Sequence, residues 1–268
     1  MKALPEISVL YEDKHVIAAV KPVGVLSEGS CTAAPDPNAP DIVSLLAERD
    51  RKNGIPSPYY APVHRLDCAV GGVMLLAKKP YAAAELSAVF QNDRAAVKKE
   101  YLAAVWGLFD EKEGELRDLL WKDSGKNRVF VVDRMRGGVK EAVLSYRVLS
   151  EAETDGKPIS LLLVTLGTGR SHQIRAQLSS RAHPILCDGK YGGIRPAGAE
   201  HFPGIALWSY HLSAPHPVTL SRTKDGRRPD PDAPRFPDID VTVLPDRESI
   251  PWKLFALPGT EEKPAETD

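Results

Sequence analysis

The chain has 268 residues, of which 43% are hydrophobic and 26% charged, so it is long enough and apolar enough to bury a substantial globular core. A formal net charge of −1 excludes a uniformly basic protein, and contact with a polyanion has to come from local groups of Lys and Arg. No apolar run has the length of a membrane span, and three widely spaced cysteines (Cys31, Cys68 and Cys187) indicate free thiols in a reducing, cytoplasmic compartment.

The first third of the chain has the patterns of two paired strands followed by two helices. Short apolar runs flank a polar turn, which is typical of a hairpin. Further along, Asp and Pro stand where a helix needs an N-cap and a first-turn residue. The predicted elements are strands 7–11 and 16–20, an exposed Pro-rich loop 31–40, a helix capped by Asp41, and a helix from Pro80 to about residue 91.

The rest of the chain is dominated by strand patterns. The predicted elements are strands 97–107, 141–149, 160–166 and 205–212, a helix capped by Ser171 that runs to about residue 181, and a long loop 222–238. Strands that come mostly in hairpin-like pairs, with a few helices between them, predict an α+β protein with a large antiparallel or mixed sheet.

The segment His64-Arg65-Leu66-Asp67 is the first candidate site. It lies between a Pro-rich approach and a predicted strand at residues 73–78, so its carboxylate is on a loop that packed elements hold at both ends. Functional side chains are often placed on such loops. Taken alone, an Arg and an Asp at this spacing would indicate only a locally paired surface loop.

Three further segments change that interpretation. They are YEDKHVIAAVKPVG at residues 11–24, KKEYLAAVWG at 98–107, and GTGRSHQIR at 167–175 followed by HPILCDGKYG at 183–192. Together with the first segment, and in this order, they closely resemble the RluA family of RNA pseudouridine synthases. The resemblance runs from about residue 7 to about residue 220.

The resemblance implies a single catalytic domain of α+β class with a large, mostly antiparallel bent sheet, flanking helices and a central RNA-binding cleft. We expect this domain at residues 1–258 and a disordered tail at 259–268. Some family members carry a small RNA-binding domain first; here the motifs start near the N-terminus, so we expect that domain to be absent. The implied partner is structured rRNA or tRNA, bound by a monomer with no membrane and no obligate protein partner.

Three residues are candidates for catalysis. Pseudouridine formation breaks the glycosidic bond of a uridine and rejoins the sugar to carbon 5 of the base, which needs a carboxylate as nucleophile or proton acceptor. Asp67 matches the family's catalytic aspartate, and Tyr101 matches the tyrosine that lies against the target base. Arg175 matches the arginine that pairs with the aspartate, and a guanidinium can hold a carboxylate bidentately. The atom that the carboxylate engages stays open: the anomeric carbon, carbon 6 or a sugar proton.

Five residues are candidates for contact with RNA. The target base must leave its stack before it reacts, and Arg65 matches a family residue that reaches into the RNA near the vacated space. Arg170 and His172 lie at the predicted start of a helix, where phosphate contacts are favoured. His64 and Lys99 flank the catalytic loop and the tyrosine strand and complete the set.

No metal and no organic cofactor are expected. His172, His183, Cys187 and Asp188 fit no common zinc spacing, and in the family the His183-Pro184 pair is a structural turn. Cys68 lies beside the candidate carboxylate but has no histidine partner to activate it, so we expect a small, semi-buried side chain. The rearrangement itself is redox-neutral.

One departure from the family lies beside the catalytic loop. The family commonly has Thr-Ser-Gly where this chain has Val70-Gly71-Gly72, so two hydroxyl groups are missing. We expect the loss to affect the rigidity of the loop and not the class of reaction.

Two alternatives to the synthase stay open at this point. The first is a catalytically silent RNA-binding or ribosome-assembly factor on the same fold, although such a protein would need none of Asp67, Tyr101 and Arg175. The second is a hydrolase that cuts the glycosidic bond with water and releases free uracil.

Overall fold

The computed structural model describes residues 5–29, 39–92, 94–220 and 236–259. The helices in these ranges are α1 (Ile42–Lys52), α2 (Pro80–Asn92), α3 (Gln173–Ser179) and α4 (Pro217–Leu220), with 3₁₀ turns at Arg94–Ala96, Gly189–Tyr191 and Trp252–Leu254. The strands are β1 (Val9–Glu12), β2 (Val16–Lys21), β3 (Ala61–Pro62), β4 (Gly71–Ala77), β5 (Lys98–Trp106), β6 (Glu113–Asp123), β7 (Arg128–Val132), β8 (Val139–Thr154), β9 (Lys157–Leu166), β10 (Leu207–Ala214) and β11 (Ile239–Thr242).

All of these strands belong to one sheet. Its main path runs β1-β2-β4-β10-β5-β9-β8-β6-β7, with β3 added to β4 and β11 added to β10. Every pairing is antiparallel except that of β10 with β4, where Trp208 and Ser209 pair in parallel with Gly71 and Gly72. The predicted α+β class with a large, mostly antiparallel sheet is therefore confirmed.

The strand β10 joins two halves of the sheet. Its neighbours are β4, from the N-terminal part of the chain, and β5, which continues into β9 and β8. Burial explains why these central strands are nearly unbroken apolar runs, because all of β4 and most of β5 are inaccessible to solvent on both faces. The parallel seam between β4 and β10 lies directly after the His64–Asp67 loop.

Most of the predicted elements are confirmed, some with longer bounds. The helix α1 begins after Asp41, whose Oδ1 accepts a hydrogen bond from the Ser44 amide at 2.9 Å. The strand β8 is longer than predicted at both ends, and β9 is longer at its start. The strands β3, β6, β7 and β11 were not predicted: charged residues interrupt the apolar pattern of β6, and the other three are short.

The helix α3 differs from its prediction. It begins at Gln173 and ends at Ser179, and the residue before it is His172 in the left-handed region (φ 49°), not a capping Ser171. The start is instead held by Gln173, whose Oε1 accepts hydrogen bonds from the Thr168 hydroxyl (2.7 Å) and the Arg170 amide (3.0 Å). This tight entry places the next turn of the helix, with Arg175, in the interior.

Some predictions fall on residues outside the described ranges. These are most of the loop 31–40, most of the loop 222–238, the tail beyond residue 259, and Cys31. Cys68 is half-buried and Cys187 is buried, and both are in the thiol form. Within the described ranges, no helix is both long enough and apolar enough to span a membrane.

Candidate active site

The loop that carries Asp67 is fixed by hydrogen bonds to the buried hydroxyl group of Ser27. Ser27 Oγ donates to the Leu66 carbonyl at 2.8 Å and accepts from the Leu66 amide at 2.9 Å. Leu66 and Val70 are buried on either side, and the Val70 amide bonds to the Asp67 carbonyl. With its backbone fixed in this way, Asp67 projects a half-exposed carboxylate.

Arg175 pairs with Asp67, as predicted. Its Nη1 lies 2.7 Å from Asp67 Oδ2, although the two residues are 108 positions apart. The bidentate geometry expected for this pair is wrong: the Nε and Nη2 atoms bond to Asp188 Oδ2 and Oδ1 at 2.7 and 2.8 Å. A fork of two parallel bonds fixes the guanidinium plane on Asp188 and leaves a single directed N–H for Asp67.

Asp188 is therefore a site residue that the sequence interpretation missed. It was weighed only as part of a metal set, yet its side chain is 1% exposed and belongs to the ion pair. The turn around it is held by its carbonyl, which accepts from the amides of Tyr191 and Gly193. The signal available in the sequence was its place in the Cys-Asp-Gly-Lys-Tyr-Gly motif. Burial lowers the pKa of Arg175, but the hydrogen bonds and charges of Asp188 and Asp67 outweigh burial, so the pKa lies above its ordinary value.

Tyr101 lines the same cavity as this pair. It comes from β5 next to β10, and its ring is 7% exposed, with Asp67, Arg175 and Leu207 also lining the cavity. Burial raises the pKa of its hydroxyl to about 12, and the nearby Asp67 charge acts in the same direction. The phenol is accordingly neutral, and its ring forms an apolar wall beside the carboxylate.

His172 is the third polar group around Asp67. Its Nε2 lies 3.7 Å from Asp67 Oδ2, and its Nδ1 lies 2.9 Å from the hydroxyl of Tyr191. Burial lowers the pKa of His172 despite the opposing charge of Asp67, so the ring is held neutral. The tyrosine beneath it was not singled out by the sequence analysis.

The cavity at this point has a volume of about 70 Å³, and six of the eight predicted site residues line it. They are Arg65, Asp67, Tyr101, Arg170, His172 and Arg175. Arg65 is 75% exposed and reaches Glu28 at 3.2 Å, whereas Arg170 is tied to the Glu141 carbonyl at 3.0 Å. The set thus combines the long, exposed side chain of Arg65 with side chains that hydrogen bonds hold in place.

His64 and Lys99 lie elsewhere. The His64 Nε2 accepts the Leu75 amide at 3.0 Å, and its ring stacks on Phe90 with centroids 5.3 Å apart. Burial lowers the pKa of His64 to about 3, with a smaller effect from Lys99. Lys99 Nζ lies over the same Phe90 ring, 5.6 Å from its centre. This geometry gives His64 a packing role behind the loop and does not bring it to the cavity.

The Val70-Gly71-Gly72 departure has a structural explanation. A side chain at Gly71 would meet the Trp208 ring, with Cε3 only 2.9 Å from its first carbon, and one at Gly72 would meet the Ser209 backbone. Trp208 is itself anchored by a hydrogen bond from Nε1 to the Val243 carbonyl at 2.9 Å. The indole occupies the space beside the loop, so packing takes the place of the missing hydroxyl groups.

Lys21 is a second residue that the sequence analysis did not single out. Its side chain is fully buried, and Nζ donates to the carbonyls of Val25 (2.6 Å), Pro22 (3.0 Å) and, weakly, Cys68 (3.5 Å). Burial lowers its pKa to about 8 against the opposing effects of Cys68 and Asp67. Lys21 ties the turn after β2 to the back of the catalytic loop.

A larger concavity of about 550 Å³ lies on a different surface. Its lining includes Glu100, which alternates with Tyr101 along β5 and therefore faces the opposite side of the sheet. None of the predicted site residues line it, and the convergence of charged groups favours the smaller cavity as the reactive one. Among the described residues, no three His, Cys, Asp or Glu side chains are grouped as metal ligands.

Comparisons with known proteins agree with this geometry. The profile of a family described as RNA pseudouridylate synthase matches residues 15–180. The chain is 32% identical over 213 residues to a "Dual-specificity RNA pseudouridine synthase RluA" of Yersinia pestis, covering 78% of this chain and 92% of that protein. It is 31% identical over 218 residues to the protein of the same name in Escherichia coli K12, covering 80% and 89%.

Solved structures show the same fold. The human RNA pseudouridylate synthase domain containing 1 superposes with a TM-score of 0.66 at 20% identity, covering 92% of this chain and 87% of that one. The human domain containing 4 gives 0.65 at 21% identity, with 89% of each chain covered. Fold, site and sequence together define an enzyme that isomerises uridine in RNA. The chain belongs to the RNA pseudouridine synthases, and among them to the RluA family.

Proposed function

We propose that this protein converts a specific uridine of structured rRNA or tRNA into pseudouridine, with Asp67 as the catalytic carboxylate and no metal or organic cofactor. The observation that carries the proposal is the Asp67–Arg175 pair at 2.7 Å in the wall of a cavity that also contains the Tyr101 ring. A charged carboxylate with a fixed direction beside a stacking surface suits a reaction on a nucleoside.

The roles of the residues follow from their positions. The target uridine leaves its stack and enters the cavity, where the Tyr101 ring lies against the base and the Asp67 carboxylate faces the sugar or base. The glycosidic bond breaks, and the same base is rejoined through carbon 5, so no atom is gained or lost. Arg65 lines the cavity with an exposed side chain, and its proposed role is to reach into the space that the base vacates.

The contacts with RNA come from local positive charge. Arg65 and Arg170 line the cavity, and Lys99 lies on the strand that carries Tyr101. A net charge of −1 for the whole chain makes this local concentration decisive for where a polyanion binds. We propose that the chain acts as a cytoplasmic monomer, without an obligate protein partner.

The ion-pair geometry weakens one of the two alternatives, the silent RNA-binding protein. A silent RNA-binding protein would have no need for a buried Asp188 that orients Arg175 towards Asp67, because such a buried pair adds little to stability. A glycosidic hydrolase would use the same carboxylate, so only the product separates the two enzymes.

The variant Asp67→Asn provides the test, because it keeps the shape of the side chain and removes its charge. We expect pseudouridine formation in the cognate RNA to be abolished while RNA affinity stays within a few-fold. Asp110→Asn, at an exposed position away from the cavity, is the matched control and should retain full activity.

Two outcomes would contradict the proposal. Conversion by Asp67→Asn at the wild-type rate would remove the catalytic role of this residue. Release of free uracil by the wild-type protein, in place of pseudouridine, would make it a hydrolase. The RNA target is found by mapping pseudouridine in RNA from cells that lack the protein.

A further inference from the structure

Tyr191 makes contacts that a tyrosine buried only for packing would not need. It is 3% exposed, and its hydroxyl accepts a hydrogen bond from the Val129 amide at 2.8 Å and lies 2.9 Å from His172 Nδ1. The centre of its ring is 4.9 Å from the guanidinium carbon of Arg175. A single side chain thus contacts β7 and both of the groups that surround Asp67.

The hydrogen bonds of Tyr191 favour one tautomer of His172. An amide N–H can only donate, so the phenol oxygen accepts from Val129. The buried phenol hydrogen then has Nδ1 as its acceptor, 2.9 Å away, which suits a neutral imidazole with its proton on the other nitrogen. In that tautomer the ring proton is on Nε2, the atom that lies 3.7 Å from Asp67 Oδ2. The hydroxyl thus favours the tautomer that turns an N–H towards the carboxylate.

The ring of Tyr191 packs against the guanidinium group of Arg175. A cation over an aromatic face is attracted by the ring, and the attraction is stronger away from water. Arg128, from the start of β7, lies 5.1 Å from the same ring and 5.4 Å from that of Phe130. The β6–β7 hairpin is consequently joined to the catalytic pair through one aromatic side chain.

We propose that Tyr191 is a positioning residue for the isomerisation, acting on Asp67 through the His172 tautomer and the Arg175 guanidinium and linking both to the β6–β7 hairpin. The inference rests on the proposed function, because it assigns Tyr191 to the same reaction. Tyr191 takes no part in bond making or breaking. It determines the direction in which the two neighbours of the carboxylate point.

The test compares Tyr191→Phe with Tyr191→Leu in single-turnover conversion of the cognate RNA. Tyr191→Phe keeps the ring and should lower the rate at saturating enzyme by roughly tenfold, because small misplacements of reacting groups are costly. Tyr191→Leu removes the ring as well and should lose more. The enzyme concentration that gives half of the maximal single-turnover rate should change by less than about threefold for both variants, since positioning affects the rate and not binding.

Tyr60→Phe is the matched control. Tyr60 is also a buried tyrosine, its hydroxyl bonds to Asp50 at 2.6 Å, and it does not line the cavity. The Tyr60→Phe variant should have a lower thermal stability and an unchanged single-turnover rate. The proposal would be overturned if Tyr191→Phe behaved in the same way, with a lower stability and an unchanged rate.

A double-mutant cycle with His172→Asn tests the route. Asn tolerates the left-handed backbone at this position but cannot reproduce the imidazole link. In that background, Tyr191→Phe should cost less than about twofold in rate, since residues that act in series are not additive. A full tenfold loss in both backgrounds would exclude action through His172.

Amide exchange separates this inference from the proposed function. In the free protein, exchange at the Val129 amide should be faster in Tyr191→Phe than in the wild type. If the wild type forms no pseudouridine, the proposed function fails, and this exchange still tests the link to the hairpin. Unchanged Val129 protection would show that the link does not exist.

Discussion

Arg175 lies between two carboxylates and holds them differently. Asp188 receives the fork of Nε and Nη2, whereas Asp67 receives only Nη1. Since Asp188 is almost fully buried, its position is set by packing and it acts as the fixed reference for the guanidinium. Asp67, which is 29% exposed, is left free to face a substrate.

We predict that Asp188→Asn impairs both activity and stability. The amide keeps the shape but offers one acceptor instead of two, so the fork breaks and a buried guanidinium loses its counter-charge. A loss of roughly 1–3 kcal/mol in the free energy of unfolding is expected for charged hydrogen bonds of this kind, together with a fall in the single-turnover rate.

Asp118→Asn is the control for this prediction. Asp118 receives a similar fork from Arg181, at 2.9 and 3.1 Å, and does not touch the cavity. It should lower stability alone. If Asp188→Asn retained the wild-type rate, the orientation of Arg175 by Asp188 would have no part in catalysis.

The lowered pKa of His64 leads us to predict a loss of folding stability in acid. Its pKa is lowered by burial from 6.5 to about 3 in the folded protein, so between these values the unfolded chain binds a proton that the folded chain does not. The stability contributed by neutral His64 is complete above pH 6.5 and is lost as the pH falls towards 3. Protonation would also remove the acceptor of the Leu75 amide.

The measurement is the free energy of unfolding in urea for wild type and His64→Gln at pH 7.5, 5.5 and 4.5. Gln retains an acceptor for the Leu75 amide but does not titrate. The wild type should lose more stability than the variant across this range. Parallel pH profiles would show that His64 does not titrate as its burial predicts.

At the level of elements, β4 and β10 pack closely because Gly71, at the start of β4, has no side chain where the Trp208 ring of β10 lies. Gly71 and Trp208 are register partners, and the indole covers the glycine that stands where the family commonly has a hydroxyl residue. The rigidity of the catalytic loop thus depends on an aromatic side chain from another strand.

We predict that Gly71→Ser is destabilising in this chain. The added side chain overlaps the Trp208 ring, and overpacking of this kind costs about 1–3 kcal/mol. Gly137→Ser, at a position with open space around it, should have little effect. The cause is checked by thermal unfolding of both variants and of Gly71→Ser combined with Trp208→Ala. Gly71→Ser should cost less stability when the indole is absent. An equal loss of stability with and without the indole would contradict the proposed overlap with Trp208.

At the level of the whole molecule, β10 assembles the site from two halves of the sheet. Asp67 precedes β4 on one side, and Tyr101 on β5 lies on the other, with α3 following β9. The pairing of β10 with both strands is what brings the groups together. The domain boundary at residue 258 stays a prediction.

We predict that turnover needs no metal ion, because the rearrangement is redox-neutral and the proposed catalytic group is the Asp67 carboxylate itself. Conversion of an RNA that folds in monovalent salt should continue at an undiminished rate in excess EDTA. The control is the same RNA without enzyme, probed for its fold under both conditions. Activity that is lost with chelator and restored only by a transition metal would refute this.

The sequence by itself determined the class of fold, most of the strands and helices, and the membership of Asp67, Tyr101 and Arg175 in one site. Hydrophobic periodicity and caps act over a few residues and suffice for the strands and helices, whereas the grouping of the three site residues followed from the resemblance of their motifs to the RluA family. The strand β6 was not predicted, since its charged residues hide the alternation, and β7 was not predicted because it is only five residues long.

Only the tertiary structure decided how the site is held together. His64 and Asp67 are three residues apart, yet one packs against Phe90 and the other faces the cavity. Asp188, Tyr191 and Trp208 contact the site through partners far away in the chain, and the fork of Arg175 turned to Asp188 and not to Asp67. Such pairings depend on the register between distant strands and on burial, which arise only when the two halves of the sheet meet at β10.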